Sequence, residues 1–286
     1  MVDFVGIASN TLILGSLYAL IAIGFTLIFG VAGQANLAHG ATITIGAFTA
    51  WFVASLGLGV WVGLAAALVT GALFHLVLYQ VFIRHIDDPI NVLILTLLAW
   101  FVVEYGFRAA VGTEPRSVPS LFAGYTPEIA GFSILYNNLL IVVLSWVFIV
   151  ALFLFINRTK TGQAIIATSM NEKGAALVGV KTDRITLFTW VLAGLLAGCA
   201  GVLYATSRSA TYSMGETPLI LAFAIVILGG IGSIQGSVIA AYVVGFLEVF
   251  TVSAVSPRLS GMTALLLIVL VLLFKPTGLY GRELPA

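Results

Sequence analysis

Apolar residues fill almost the whole chain and are interrupted only by short polar stretches. Between Phe4 and Ile83 there is no Asp, Glu, Lys or Arg. A membrane-spanning helix needs about 20 apolar residues, so this stretch alone has room for roughly three of them. The sequence predicts an all-α fold, a polytopic transmembrane helical bundle of about eight to nine segments, in which the last three can include a broken or re-entrant element. The predicted segments lie near residues 8–30, 36–55, 60–83, 90–111, 138–156, 185–206, 218–233, 236–255 and 261–274.

The composition agrees with a membrane location. Of the 286 residues, 61% are hydrophobic and 8% are charged, and the mean hydropathy is +1.16. A soluble domain carries about 25% charged residues, so lipid must surround most of this chain. The net charge of +1 gives no basic stripe that would indicate nucleic-acid binding. With Cys199 as the one cysteine, no intrachain disulfide is possible. The N-terminus lacks the basic stretch of a cleaved signal peptide, so we expect the first segment to remain as a span.

The basic residues predict an orientation, because Lys and Arg are enriched in cytoplasmic loops. If the polar insert at residues 157–184 is cytoplasmic, eight of the twelve basic residues lie inside: Arg84, Arg158, Lys160, Lys173, Lys181, Arg184, Lys275 and Arg282. Four lie outside: Arg108, Arg116, Arg208 and Arg258. We therefore expect the chain to lie in the cell membrane with its N-terminus outside and its C-terminus in the cytoplasm.

We expect one transmembrane domain over residues 1–286, with no separate soluble domain. Its main external segment is residues 112–137, in which Pro115, Pro119 and Pro127 prevent one continuous helix. This segment is either a connector between two spans or a docking site for an external partner.

The chemistry expected of an enzyme is absent from the sequence. The glycine-rich stretch Gly229–Ser237 lacks the lysine of a phosphate-binding loop. The three histidines, His39, His75 and His85, are scattered along the chain and form no metal-binding constellation. No nucleophile is paired with a base. We therefore predict no catalytic site, no metal and no cofactor.

Two acidic residues lie inside predicted spans, where charged groups are often functional. Glu104 precedes Arg108 by one helical turn, the favoured order for an ion pair on a helix. Glu248 has no partner nearby in sequence, and three roles stay open for it: a proton site, a hydrogen bond between helices, or a subunit contact.

Polar breaks interrupt the apolar pattern near both ends of the chain, at Gly30–Ala41 and at Leu228–Val238. Paired breaks in the two halves of a transporter point to a central translocation site. Tight turns between spans are the alternative. The candidate residues for a translocation path are Asn36, His39, Gly40, Gly230, Ser233 and Gln235.

The first break lies in a stretch that reads GSLYALIAIGFTLIFG…ANLAHG. This stretch resembles the amino-terminal signature of the branched-chain amino-acid ABC permeases, and GGIGSIQGSVIAA and FKPTGLYG resemble later segments of that family. The likeness extends from about Gly15 to Gly281. The resemblance implies a permease subunit of a binding-protein-dependent importer that translocates branched-chain or related amino acids.

Partners are implied by the same resemblance: a second permease subunit that is related but different, two ATP-binding subunits and an external solute-binding protein. Urea and short-amide permeases share much of the pattern, so such a substrate is an alternative. An ion-coupled secondary transporter or channel that uses Glu248 or Glu104 is the alternative from another class.

The polar insert resembles the cytoplasmic coupling segment of ABC permeases, although Gln163 and Ile166 replace two arginines of that pattern. Ile166, Met170, Gly174 and Leu177 are spaced as one stripe of a helix, and Gly174 is predicted to divide the insert into two short helices. A short helix with such a stripe fits a groove on a soluble partner, whereas a solvated loop is the simpler alternative. The predicted ATPase-coupling residues are Gly162, Ile166, Met170, Asn171, Glu172, Gly174, Ala175, Leu177 and Gly179.

Cysteine labelling tests the predicted orientation. Because the basic residues place the insert and the C-terminus inside, cysteines at Lys173 and Arg282 are expected to react only from the cytoplasmic side. A cysteine at Ser117 is expected to react from outside with a membrane-impermeant maleimide. Labelling of positions 173 and 117 from the same side would contradict this topology.

Overall fold

The computed structural model describes residues 4–86, 88–126, 134–275 and 278–280, which form a bundle of helices. Its first five helices are α1 (Phe4–Ala32), α2 (Ala38–Ser55), α3 (Val60–Val81), α4 (Pro89–Val111) and α5 (Tyr136–Arg158). The insert forms α6 (Lys160–Met170) and α7 (Glu172–Leu177), and the rest forms α8 (Thr182–Arg208), α9 (Glu216–Gly229), α10 (Ile234–Phe250) and α11 (Met262–Phe274). The described residues contain no strand, only isolated bridges between Arg116 and Ala210 and between Tyr125 and Leu135.

Each of the nine predicted apolar segments coincides with a helix, and the all-α bundle is confirmed. The exact number of spans is not. Among the described residues, six helices are long and apolar enough to cross a membrane: α1, α3 with its 3-10 extension, α4, α5, α8 and α10 with its π-helical extension. The other three, α2, α9 and α11, have 18, 14 and 13 residues. At 1.5 Å per residue they are about 20–27 Å long, shorter than a hydrocarbon core of about 30 Å.

The first helix lies at the centre of the bundle. Every residue of α1 from Gly15 to Ile28 is buried, which is expected of a helix that is apolar on all sides and packed by neighbours on all sides. Gly15 allows α10 to come close, because a Cβ on Gly15 would lie 2.6 Å from Cδ1 of Tyr242.

Glycines on one face of α8 bring it into backbone contact with α2 and α3. A Cβ on Gly198 would meet the carbonyl oxygen of Ala67 in α3, and a Cβ on Gly201 would meet that of Ile43 in α2. Gly194 and Gly71 pack against each other in the same way. Small residues drive helix association in lipid because they permit such close approach.

Side-chain hydrogen bonds also join helices deep in the bundle. Thr26 in α1 and Ser237 in α10 are joined through their hydroxyls at 2.7 Å. The Thr42 hydroxyl lies 2.9 Å from Nε2 of His75, whose Nδ1 lies 2.9 Å from the backbone oxygen of Trp190. His75 therefore links α2, α3 and α8.

The bundle has two distinct ends. The insert end carries α6 and α7, the turn after α1 and the turn after α9, where the amide of Leu279 donates to the oxygen of Leu228 at 2.7 Å. The opposite end carries the residues before α5, with Asn137 accepting from the amide of Leu121 at 2.9 Å. Within the predicted external segment Pro115 and Pro119 are non-helical, as expected, while Pro127 lies outside the described residues, as does Arg282 at the C-terminus.

Alanine at Gly198 tests the backbone contact between α3 and α8. We expect Gly198→Ala to lower the unfolding free energy by about 1–3 kcal/mol, because the new methyl must displace the α3 backbone. The measurement is thermal unfolding of the purified protein in detergent. Gly106→Ala is the matched control, since a Cβ at the exposed Gly106 in α4 meets no atom within 4 Å in the part of the chain that the structure describes. Equal stability of the two variants would contradict the close packing.

Candidate functional site

The polar insert forms two short helices that leave the bundle between α5 and α8. Thr159 caps α6, because its hydroxyl accepts from the amide of Gly162 at 3.0 Å. Asn171 caps α7 in the same way, with Oδ1 accepting from the amide of Gly174 at 2.8 Å. Both caps are residue types that favour helix starts.

The prediction that Gly174 divides the insert was wrong in position. The division lies at Asn171, whose backbone is extended with φ −160° and ψ 103°, and Gly174 lies inside α7. The physical reason is the side-chain cap: Asn171 offers α7 a first hydrogen bond, so the chain can leave α6 there and start again. Consequently the predicted stripe is split between two helices and is not continuous.

The insert presents three large apolar side chains to solvent. Met170, Leu177 and Val178 are 67%, 88% and 81% exposed. Met170 ends α6, beside the division, whereas Leu177 ends α7 and Val178 follows it. Val178 was not among the predicted residues. The sequence does contain a signal for it, because Val178 is apolar and lies between Leu177 and the turn at Gly179.

The other predicted coupling residues have two kinds of environment. Asn171, Glu172 and Gly179 are exposed. Gly162 and Ala175 are buried, and a Cβ on Gly162 would meet the oxygens of Phe155 and Ile156 at the end of α5. Ile166 is partly buried against the core. The buried positions fix the insert on the bundle, and the exposed ones form its free surface.

The two polar breaks meet at the insert end. A Cβ on Gly30, near the end of α1, would lie 2.7 Å from the Cα of Gly232 in the turn between α9 and α10. That turn depends on glycine, since Gly230 and Gly232 have φ of 99° and 79°, a region that only glycine enters without strain. The breaks are tight turns between helices, and they are also in contact with each other.

A second glycine contact joins the starts of α2 and α9. Gly40 and Gly215 pack backbone to backbone, and a Cβ on Gly40 would lie 2.9 Å from the oxygen of Gly215. The N-terminal ends of two helices therefore converge inside the bundle. Gly215 was not predicted as a site residue, because a single glycine before an apolar run looks like an ordinary helix boundary.

Asn36 and His39, the polar candidates of the first break, are fully buried. Nε2 of His39 lies 3.1 Å from the oxygen of Ile21, whereas Nδ1 of His39 has no partner among the described residues. Neither amide atom of Asn36 has one either. Unpaired buried polar atoms are rare and require a local reason.

The polar candidates of the second break do not join Asn36 and His39. Ser233 caps α10 by accepting from the amide of Gly236 at 3.1 Å, and Gln235 is exposed on the first turn of that helix. The structure thus brings the glycines of the two breaks together but leaves their polar side chains apart.

In the described part of the chain, no group of three metal-ligating side chains occurs.

Glu248 forms hydrogen bonds between helices, which confirms one of its three predicted roles. Glu248 is 4% exposed, and its carboxylate accepts from the Ser260 hydroxyl. The amide of Gly261 donates to both carboxylate oxygens, at 3.0 Å to Oε1 and 2.9 Å to Oε2. Gly261 directly precedes α11, so the carboxylate at the end of α10 binds the N-terminal end of α11, where negative charge is favoured.

The predicted pair of Glu104 and Arg108 is not found among the described residues. The Arg108 guanidinium instead lies 5.7 Å from the ring centre of Tyr212, in the segment before α9. An aromatic face attracts a cation without requiring a carboxylate, and this contact connects α4 with the start of α9.

Comparison with known proteins gives consistent matches over nearly the whole chain. The profile of a family described as "Branched-chain amino acid transport system / permease component" matches residues 7–272. The chain is 30% identical to the high-affinity branched-chain amino acid transport system permease protein BraD of Pseudomonas aeruginosa, over 96% of this chain and 94% of that protein. It is also 30% identical to LivH of Escherichia coli, described in the same words, with the same coverage.

A more distant relative is named for a different transported solute. The fructose import permease protein FruF of Bifidobacterium longum is 26% identical over 81% of this chain and 66% of that protein. No solved structure matches the chain.

Removal of the Glu248 carboxylate tests its contact with α11. Hydrogen bonds to a charged group contribute about 1.5–3 kcal/mol each, so Glu248→Ala is expected to destabilise the start of α11. The measurement is amide hydrogen exchange at Gly261, which we expect to become faster. Ser253→Ala, in the exposed part of the π-helical turn, is the control and leaves this exchange unchanged. Unchanged exchange in Glu248→Ala would refute the contact.

Proposed function

The chain is a member of the family of branched-chain amino acid transport system permease components, and we propose that it forms half of the membrane pathway of an ABC importer. Its cargo is a branched-chain or related amino acid. The ATP is hydrolysed by separate subunits, and the permease performs no chemistry of its own. The whole of residues 1–286 acts as one transmembrane permease domain.

The observation that carries this proposal is the free surface of the insert. Met170, Leu177 and Val178 are large, apolar and exposed on a segment whose other exposed residues are polar or small. Lipid cannot cover them if the basic residues around them stay in water. A groove on a soluble partner covers such side chains at the ends of short helices. We assign this surface to the ATP-binding subunits.

The division at Asn171 suits this role. α6 is anchored on the bundle through Gly162, and α7 through Ala175. A movement of the partner against Met170 and Leu177 is therefore transmitted to the ends of α5 and α8. The predicted coupling residues keep their assignment, with Val178 added to them.

The orientation follows from the same assignment. If the insert binds the ATPases, the insert end is cytoplasmic and the opposite end faces outside. The external solute-binding protein then docks at the opposite end, and a second permease chain, related but different, completes the pathway. The N-terminus is outside and the C-terminus is cytoplasmic.

The path itself is proposed to pass the meeting point of α2 and α9. Asn36, His39 and Gly40 lie in or just before the first turn of α2, at this meeting point. Gly230 and Ser233 lie at the other end of α9, in the turn that follows it, and Gln235 lies in the first turn of α10. The side-chain amide of Asn36, which has no hydrogen-bond partner among the described residues, supports this location, since a buried polar group without a partner in one conformation is available to a solute or to water in another.

Substitution of Met170 tests the docking of the ATPases. With Met170→Asp, docking must either bury an unpaired charge or open the contact. The burial costs at least several kcal/mol, and about 1.4 kcal/mol already lowers affinity tenfold. We expect the variant to insert at normal abundance, to lose the ATPase subunits during co-purification from membranes, and to lose transport.

Two further variants sharpen this test. Lys160→Ala is the control, because Lys160 is exposed and an exposed charge contact contributes about 0–1 kcal/mol. Gly174→Pro is expected to uncouple transport, because proline removes the amide that donates to Asn171. Retention of the ATPase by Met170→Asp at the level of the unmodified protein would overturn the proposal.

A further inference from the structure

A cavity of about 680 Å³ opens at the end of the bundle opposite to the insert. It lies between the start of α1, the end of α8, the end of α10 and the residues around the start of α5. Its volume is within the range of about 300–1,000 Å³ that small-molecule sites occupy. Nothing in the coupling surface or in the two polar breaks uses this cavity.

Two opposite charges line the cavity in a chain that has few charges. Arg208 ends α8, and Glu248 lies near the end of α10. No ion pair joins them in the part of the chain that the structure describes. The Arg208 guanidinium lies 5.6 Å from the ring centre of Tyr204, and Glu248 accepts hydrogen bonds from Ser260 and Gly261. Each charge is thus held in place by a neighbour and is not neutralised by the other.

The rest of the lining is divided between amides and apolar side chains. Asn10 and Asn138 contribute amide groups to the lining, whereas Leu14, Val249 and Val252 are apolar. The lining thus combines a cation, an anion, amide groups and an apolar wall. It complements a molecule that carries a carboxylate, an ammonium group and an aliphatic side chain.

We propose that this cavity binds a free zwitterionic amino acid with an apolar side chain before it enters the translocation path. The guanidinium of Arg208 receives the α-carboxylate, for which its planar donors are suited. The α-ammonium group is directed towards Glu248 and the amide oxygens, and the side chain lies on the apolar wall. This inference rests on the proposed import function and adds a binding site within the permease itself.

Cysteine protection tests the site in the full chain. Cys199, the native cysteine, is buried, so an added cysteine reports on its own surroundings. Ser207→Cys places a thiol on the cavity wall, and Ser55→Cys places one on an exposed position at the same end of the bundle. Both variants are labelled with a maleimide in open membrane fragments without a solute-binding protein, which makes the readout independent of orientation.

We expect L-leucine to protect the cavity thiol alone. If Kd is on the order of 1 mM, about 5 mM L-leucine slows labelling of Ser207→Cys about sixfold, because the free fraction is 1/(1 + [L]/Kd). Labelling of Ser55→Cys does not change. Leucinamide lacks the carboxylate and 4-methylpentanoate lacks the ammonium group, so neither protects. Adding Arg208→Gln abolishes protection by L-leucine.

Three outcomes would overturn the proposed site. Labelling of Ser207→Cys at the same rate with and without L-leucine overturns the site, and so does equal protection by leucinamide. Slower labelling of Ser55→Cys would show a general effect of the solute and would also overturn it. Failure of the import proposal would appear elsewhere, as absence of ATPase subunits from the purified unmodified protein, whether or not the cavity thiol is protected.

Discussion

Backbone contact between helices is the constraint on which the rest of this structure depends. In lipid there is no hydrophobic force that drives apolar helices together, so they associate through close packing and through hydrogen bonds between them. Gly194, Gly198 and Gly201 on α8 supply the close packing with α2 and α3. The hydrogen bonds of His75 fix the same three helices in register. Larger side chains on this face would separate the helices and break those bonds.

The packed core and the insert differ in how their side chains are buried. α1 is buried in its central part and is held by α8 and α10. The insert is attached to this core through buried residues such as Gly162, Ile165 and Ala175, whereas the large apolar side chains at the ends of its two helices are exposed. A rigid bundle with a firmly seated insert is suited to receive a movement from a partner and to transmit it along the helices.

Among the described residues, the sequence predicted the nine helices of the bundle well because each of them is an apolar run bounded by polar residues or glycine. Of the residues predicted to couple to the ATPases, Met170 and Leu177 are exposed, but the division of the insert lies at Asn171 and not at the predicted Gly174. A helix periodicity carries no information about a local side-chain cap such as that of Asn171. The contacts of Arg108 with Tyr212 and of Glu248 with Gly261 join residues that are distant or on different elements, which spacing along one helix does not reveal.

The hydrogen bonds of residues 279 and 280 have a consequence for biogenesis. The amides of Leu279 and Tyr280 donate to the oxygens of Leu228 and Gly229, the last carbonyls of α9. Because a chain is made from its N-terminus, these donors leave the ribosome about fifty residues after the helix that they cap. Until then, that end of α9 relies on water or on another protein for its hydrogen bonds. The short helix is therefore expected to be among the last parts of the chain to settle, after α10 and α11 have already inserted.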